Sequence, residues 1–356
     1  MSETIYFIPM ADNEDDRLLC QRFERLLTAK KILSFISPKD MVAIKTHFGE
    51  AGSAGYIRPL FFQALGRLIR KRRAMPFLTE TQTLYAGRRA NAIDHLEMAY
   101  EHGFTFDQAG APVIMADGLF GDEEIEVAVP GRLYQKVALA SLIVRSQALI
   151  VASHFTGHIA TGFGATLKNL GMGCSSRRGK RAQHSTAKPT VKQKKCSRCG
   201  ECLKWCPQQA IAMTGDGARI DSGRCIGCGE CLAVCRFEAI GYNWLETYEQ
   251  LQKKVVEHAL GVVQSKKGKI VFFNFLNRIT RDCDCMGKYE KIVPDIGVLA
   301  GFDPIAVDAA ALDLVEERSG KKLSQLTYKV PYRVQLDYGR ELGLGTTDYR
   351  LEEFSG

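Results

Sequence analysis

The 356-residue sequence predicts an α/β protein, a mostly parallel sheet domain interrupted by a small cysteine-rich module. Three observations predict it. Short apolar runs alternate with amphipathic stretches of roughly 10–20 residues, the pattern of strands joined by crossover helices. Eight of the twelve cysteines crowd into residues 196–235. Beyond them the alternation resumes, so one domain is assembled from both flanks. The boundaries read as 1–187 for the first part of the α/β domain, 188–243 for the insertion and 244–356 for the second part.

In chain order, a strand at 5–8 leads into an amphipathic helix at 14–35, and a strand at 41–45 into a helix at 59–71. A strand at 75–78 precedes a helix at 90–101, and a strand at 113–116 precedes a helix at 133–144. The strand 148–152 closes the first flank. After the insertion come a helix at 244–260, strands at 270–275 and 296–299, and a helix at 305–317. Asp303 is read as the cap of that last helix, because Pro304 suits the first helical turn. Loops at the strand ends of such a sheet are where a ligand would bind.

Composition narrows the class. Apolar residues at 46% and charged residues at 25% are ordinary for a soluble globular protein. The longest apolar stretch, 137–152, is broken by Arg145, Ser146 and Gln147, so no membrane span is expected. The opening MSETIYFIPMADNEDD has neither a basic start nor a cleavage site for secretion. A cytoplasmic location is therefore expected. The net charge of +8 is local: residues 177–195 hold eight Lys or Arg and no acid. That segment is read as a flexible strap leading into the insertion. It contains no aromatic residue on which bases could stack, which argues against a nucleic-acid partner.

The insertion carries the most specific signal. Cys196, Cys199, Cys202 and Cys206 follow a C-x2-C-x2-C-x3-C-P run, and Cys225, Cys228, Cys231 and Cys235 repeat it. This is the spacing of a bacterial-type 2[4Fe–4S] ferredoxin, in which the fourth cysteine of each run serves the other cluster. Cys196, Cys199, Cys202 and Cys235 are assigned to one cluster, and Cys225, Cys228, Cys231 and Cys206 to the second. Gly200, Gly227 and Gly229 give the loops freedom to wrap a cluster. Zinc fits poorly, because its sites need four ligands, usually paired across longer gaps. Arg236 stands where the first run has Pro207.

Four further clusters follow expected strands. They are the run Lys45 to Glu50, the run His154 to Cys174, the Asp282-Cys283-Asp284-Cys285 segment, and Asp303-Pro304 with Asp308 and Asp313. In the second cluster, Gly162 and Gly164 would let a ligand approach the backbone closely, and Lys168 adds positive charge, a setting for a carboxylate or phosphate. His154 and His158 bracket it. His47 and Glu50 are candidates for proton transfer. Cys283 and Cys285 on extended backbone would face one side. With Cys174 they would give three thiolates of a third metal centre, zinc or a site-differentiated [4Fe–4S] cluster. The alternative is a C-x-C redox pair. Cys20 reads as inert core.

The motifs IKTHFGEAG, SHFTGHIATGFGATLKNLGMGC, RDCDC and GFDPIAVDAAALD resemble domain-of-unknown-function family 362, whose members often carry fused ferredoxin modules. The resemblance covers nearly the whole chain and implies an α/β domain without a settled reaction. A weaker similarity links the central motif to nickel-dependent lactate racemases. His158, Gly162 and Lys168 match that family's pattern, and His184 falls where its downstream nickel-ligating histidine stands. The likeness implies a pocket there, with nickel and a covalent cofactor on Lys168 as the family's chemistry.

The expected function is a cytoplasmic iron–sulfur electron-transfer protein, an oxidoreductase with a redox partner protein. Electrons would pass between that donor and an anionic small molecule or metal at His154, His158, Lys168, Cys174, Cys283 and Cys285. One rival is a non-enzymatic electron carrier or iron–sulfur assembly partner. Another is a racemase-like proton- or hydride-transfer enzyme with an auxiliary ferredoxin. A flavin would convert one-electron to two-electron transfer, although the sequence carries no fingerprint for it.

Overall fold

The structure, a computed structural model, describes all residues except 1, 86, 185–187, 226–229, 243–247, 287–288 and 356. Cys228, Gly227 and Gly229 lie outside the described residues, as does the start of the helix expected from 244. The fold is mixed α/β around a large, mostly parallel sheet. Its strand order is Tyr349–Glu353, Glu3–Pro9, Gly297–Gly301, Ile270–Leu276, Ala148–His154, Met41–Lys45 and Met75–Thr79. Gly297–Gly301 runs antiparallel to both neighbours, and the remaining pairs are parallel.

Alternation along the central strands explains the layers. Leu149 and Val151 join one apolar core, while Ala148, Ile150 and Ala152 join the other. Phe272 points to the first core, and Val271, Phe273 and Phe275 to the second. Both faces are covered, so the strand Ala148–His154 is buried at every position. Helices Asp16–Ala29 and Pro59–Lys71 supply Phe23, Phe61 and Phe62 to one core. Helices Tyr248–Ser265 and Pro304–Ser319 supply Val256, Ala259, Leu312 and Val315 to the other. Each fully buried side chain of this size contributes about 1.5–3 kcal/mol. As expected, Asp303 caps the helix Pro304–Ser319, accepting from the N–H groups of Ile305 and Ala306. No helix among the described residues is long and apolar enough to cross a membrane.

Three sequence expectations are corrected. Residues 133–144 are not a helix: Lys136–Ala140 pairs as a strand with Glu124–Ala128, and only Ser141–Arg145 is helical. The basic segment is not a loose strap at its start. Arg177–His184 is a helix with Gly179, Lys180 and Gln183 buried, and Arg178 bonds Glu124 and Glu126. Arg177 and Lys180 are likewise tied down, by the Phe120 carbonyl and by Thr81 and Ser175. The 113–116 segment makes an isolated parallel bridge from Val113 to Leu78 and is not a full strand.

Residues 188–243 leave and return through one antiparallel pair, Pro189–Val191 with Ile240–Tyr242. Between them lie a hairpin, Ile211–Thr214 with Gly217–Ile220, and two short helices, Glu201–Lys204 and Glu230–Ala233. Its buried apolar cluster is small: Cys202, Ile211, Ala218, Cys231 and Ile240 among the described residues.

Candidate functional site

Four neighbouring parallel strands end at one edge of the sheet, and their ends or following loops bear charged side chains. Lys45 ends the strand Met41–Lys45, Glu80 follows Met75–Thr79, and His154 ends Ala148–His154. Asp284 lies in the loop after Ile270–Leu276. This is the edge at which open α/β sheets bind ligands.

Most of these charges are already paired. Lys45 Nζ lies 2.7 Å from Glu80 Oε1, with the two side chains only 1% and 5% exposed. It also donates to Asn169 Oδ1 at 2.7 Å. Arg89 donates to Glu50 Oε2 at 2.9 Å and to the Tyr85 hydroxyl, and lies 3.9 Å from Glu80. Lys180 donates to Thr81 Oγ1 at 2.6 Å and to the Ser175 carbonyl at 2.8 Å. Burial pulls Lys180 down to about 8 despite Asp117 and Glu80 nearby, and pushes Asp117 up to about 6.

The histidines divide by what surrounds their nitrogens. His47 faces donors on both sides, the Gly49 N–H at 2.9 Å and the Arg89 guanidinium at 2.7 Å. Burial and then Arg89 hold it well below the usual histidine range, so the ring is uncharged. His154 faces acceptors on both sides, Asp284 Oδ2 at 2.8 Å and the Asn277 carbonyl at 2.8 Å. Burial alone would lower its pKa, but the Asp284 carboxylate and the two hydrogen bonds outweigh that and raise it. Both nitrogens donate, and His154 is an imidazolium clamping the 284 loop to the sheet. It therefore has no nitrogen left for a substrate. His158 Nδ1 accepts from the N–H groups of Ala160 and Thr161 at 3.2 and 3.1 Å, which puts its proton on Nε2. His158 and His184 are both lowered by burial and by the charge of Lys168.

Lys168 is the exception to the pairing. It sits on the short helix Thr166–Gly171, which a buried network fastens to the sheet. Asp308 accepts from the N–H groups of Thr166 and Leu167, and Asn274 links Asp308 to the Thr166 hydroxyl. Among the described residues, Lys168 Nζ makes no hydrogen bond and no ion pair. Its side chain is partly reachable by solvent. Burial, and then the nearby Arg89, pull its pKa down to about 8, while Asp284 and Glu80 act the other way.

Side chains pack over both glycines expected to cradle a ligand. A Cβ on Gly162 would lie 2.3 Å from the Tyr332 side chain, and one on Gly164 would lie 3.0 Å from Lys168 Cδ. Gly162 also has φ +77°, at the turn of the hairpin Thr156–His158 with Gly162–Gly164. Of the three cysteines expected at a third metal centre, Cys174, Cys283 and Cys285, two take the alternative C-x-C pairing. Cys283 and Cys285 are joined to each other as a disulfide, and sulfurs bonded to each other are not thiolate ligands. Cys174 is a core thiol whose pKa burial pushes up to about 11, donating to the Asn169 carbonyl at 3.5 Å. Cys20 is likewise buried, in the other core.

In the insertion, Cys196, Cys199, Cys202 and Cys235 line one shallow apolar concavity, with Ile240, Phe237 and Val191. Burial raises the Cys202 pKa, and the three other thiols act on it next. Backbone N–H groups already point at two of the sulfurs, Ala218 to Cys196 at 3.4 Å and Ala210 to Cys206 at 3.2 Å. Among the described residues, no group of three or more His, Cys, Asp or Glu stands in a ready metal-binding arrangement.

Sequence reasoning singled out His47, Glu50 and Lys168, which meet here. It missed Glu80, Arg89 and Lys180 as site residues, because each draws its role from a partner far along the chain.

The family described as Domain of unknown function (DUF362) matches residues 42–313. No curated protein matches. Among solved structures, the lactate racemase apoprotein from Thermoanaerobacterium thermosaccharolyticum is similar at 11% identity and a TM-score of 0.43, covering 89% of this chain and 57% of that one. A protein from Thermotoga maritima is similar at 11% identity and a TM-score of 0.43, covering 88% of this chain and 61% of that one. The chain thus spans roughly three fifths of the length of these structures.

Proposed function

The chain belongs to the family described as Domain of unknown function (DUF362), and we propose that it is an iron–sulfur redox protein whose α/β body takes an anionic small molecule at Lys168. One observation carries the reading. Cys196, Cys199 and Cys202 share an apolar concavity with Cys235, which is distant in sequence. This supports the reading, because a two-cluster ferredoxin needs the fourth cysteine of one run beside the first three of the other. The donor chemistry fits: four thiols, an apolar lining and the Ala218 N–H aimed at one of the four sulfurs, that of Cys196. Cys206, Cys225, Cys228 and Cys231 would hold the second cluster. Such clusters supply one-electron transfer when bound.

The body's part is electrostatic. Lys45 is opposed by Glu80, Arg89 by Glu50, and His154 by Asp284. At these strand ends Lys168 Nζ makes no hydrogen bond and no ion pair among the described residues, so a monoanion at that point balances its charge in a half-buried setting. A redox partner protein is required as donor or acceptor.

The test is to purify the full chain without oxygen and count iron and sulfide. About eight irons per chain is the expected result. A preparation that folds, binds no iron and instead holds zinc would overturn the reading.

A further inference from the structure

The arrangement around Lys168 says more than that it attracts an anion. A lysine kept only as a counter-charge is normally paired with an acid within the protein, as Lys45 is with Glu80, and Lys180 too has hydrogen-bond partners in Thr81 and Ser175. Lys168 is held by its stem instead. Its Cδ packs over Gly164, where any Cβ would intrude at 3.0 Å. Its helix is pinned by Asp308, Thr166 and Asn274. Asn169, the next residue, is tied through its side chain to the Ala152 carbonyl, to Ser153 Oγ and to Lys45. The backbone is therefore fixed on both sides of an amine that has no partner. His158 and His184 lie close enough to feel its charge, and the His158 tautomer presents an N–H at Nε2.

We propose that Lys168 is a nucleophilic amine that takes a small carbonyl compound bearing one carboxylate, a short 2-oxo acid, as an imine. This deepens the reading of Lys168 as the anion site and rests on it. The step balances without a redox agent. The amine nitrogen adds to the carbonyl carbon, the carbinolamine oxygen takes up protons and leaves as water, and a C=N bond remains. The protonated imine carries one positive charge and the substrate carboxylate one negative charge, so the adduct itself is neutral. Desolvation beside Arg89 leaves a larger share of the amine unprotonated at neutral pH, as a nucleophilic lysine requires. His158 Nε2–H is the donor suited to the departing oxygen.

The experiment uses the full, iron-loaded protein at neutral pH with glyoxylate, the smallest member of the class, followed by borohydride. Hydride reduces the imine to a secondary amine, which peptide mass spectrometry locates. Labelling at Lys168 is expected to exceed that of exposed lysines by about tenfold or more, reflecting its larger unprotonated share. Lys168→Arg keeps the charge but cannot form the imine, and should lose that label while keeping its iron and its thermal transition. Labelling of Lys168 at or below the rate of exposed lysines overturns the proposal. Iron counted on the same sample reports separately on the iron–sulfur reading, so either can fail alone.

Discussion

The cleft on the α/β body and the cysteine module solve the problem of holding reactive groups in opposite ways. In the cleft, folding does the work: Lys45, Arg89, Lys180 and His154 are fixed by partners before any ligand arrives. Two cores, one on each face of the sheet, hold that framework. In the module the reactive groups are themselves the interior, since Cys202 and Cys231 are two of its five buried core residues among those described. A core that small rarely stabilises a fold unaided, and small modules rely on metals or disulfides. The difference teaches where each part would get its rigidity: the cleft from its neighbours, the module, on the proposed reading, from the clusters its thiols would hold.

The largest expected effect follows from that contrast. Cys202→Ala removes one ligand and part of the small core together. The variant should lose about four irons per chain, one cluster of the two. Limited proteolysis should then cut within 188–243, while the α/β body keeps its thermal transition. Loss of the body's transition in step with the iron would break the comparison, because it would make the cleft depend on the module.

Glu80→Gln probes the other side. It leaves Lys45 buried without its carboxylate and removes a second acid from beside Arg89. Breaking a buried ion pair in this way typically costs ~3–5 kcal/mol. The effect should appear in the urea midpoint of the body, with iron content unchanged. A change below about 1 kcal/mol would mean that Lys45 finds another partner, and that the pairing is less rigid than the distances imply.

How much of this was legible in the sequence follows the range of the interactions. The strand at 41–45 and the helix at 59–71 were readable to the residue because their patterns are local. Residues 133–144 were not, because Val137, Leu139 and Ile143 fit an apolar helix as well as a strand. Pairing with 124–128 decided the matter. The edge strand Tyr349–Glu353 was missed because two of its residues are charged glutamates and its partner is the N-terminal strand. In the site, His47 and Lys168 stood out beside glycines after expected strands. Glu80 and Arg89 carried no such mark, and their roles exist only once the strand ends converge. Gly162 and Gly164 were recognised as unusual, but the sequence could not show that Tyr332 and the Lys168 stem pack over them.

The smallest effect separates two histidines of the same cleft. His154 is charged between two acceptors, and His47 is uncharged between two donors. Asp284→Asn keeps an acceptor for His154 Nδ1 but removes the carboxylate, costing roughly 1.5–3 kcal/mol while the imidazole is protonated. Because the folded-state pKa of His154 is raised from 6.5, its stabilisation is fully present below that value. It fades as pH rises through the folded-state pKa. The gap in urea midpoint between wild type and Asp284→Asn should therefore be widest near pH 6 and should narrow toward pH 9. His47 and His158, whose pKa values are lowered, destabilise both proteins alike on acidification and cancel in the difference. A gap that widens with rising pH would mean that His154 is neutral, and that the 284 loop is held by hydrogen bonds alone.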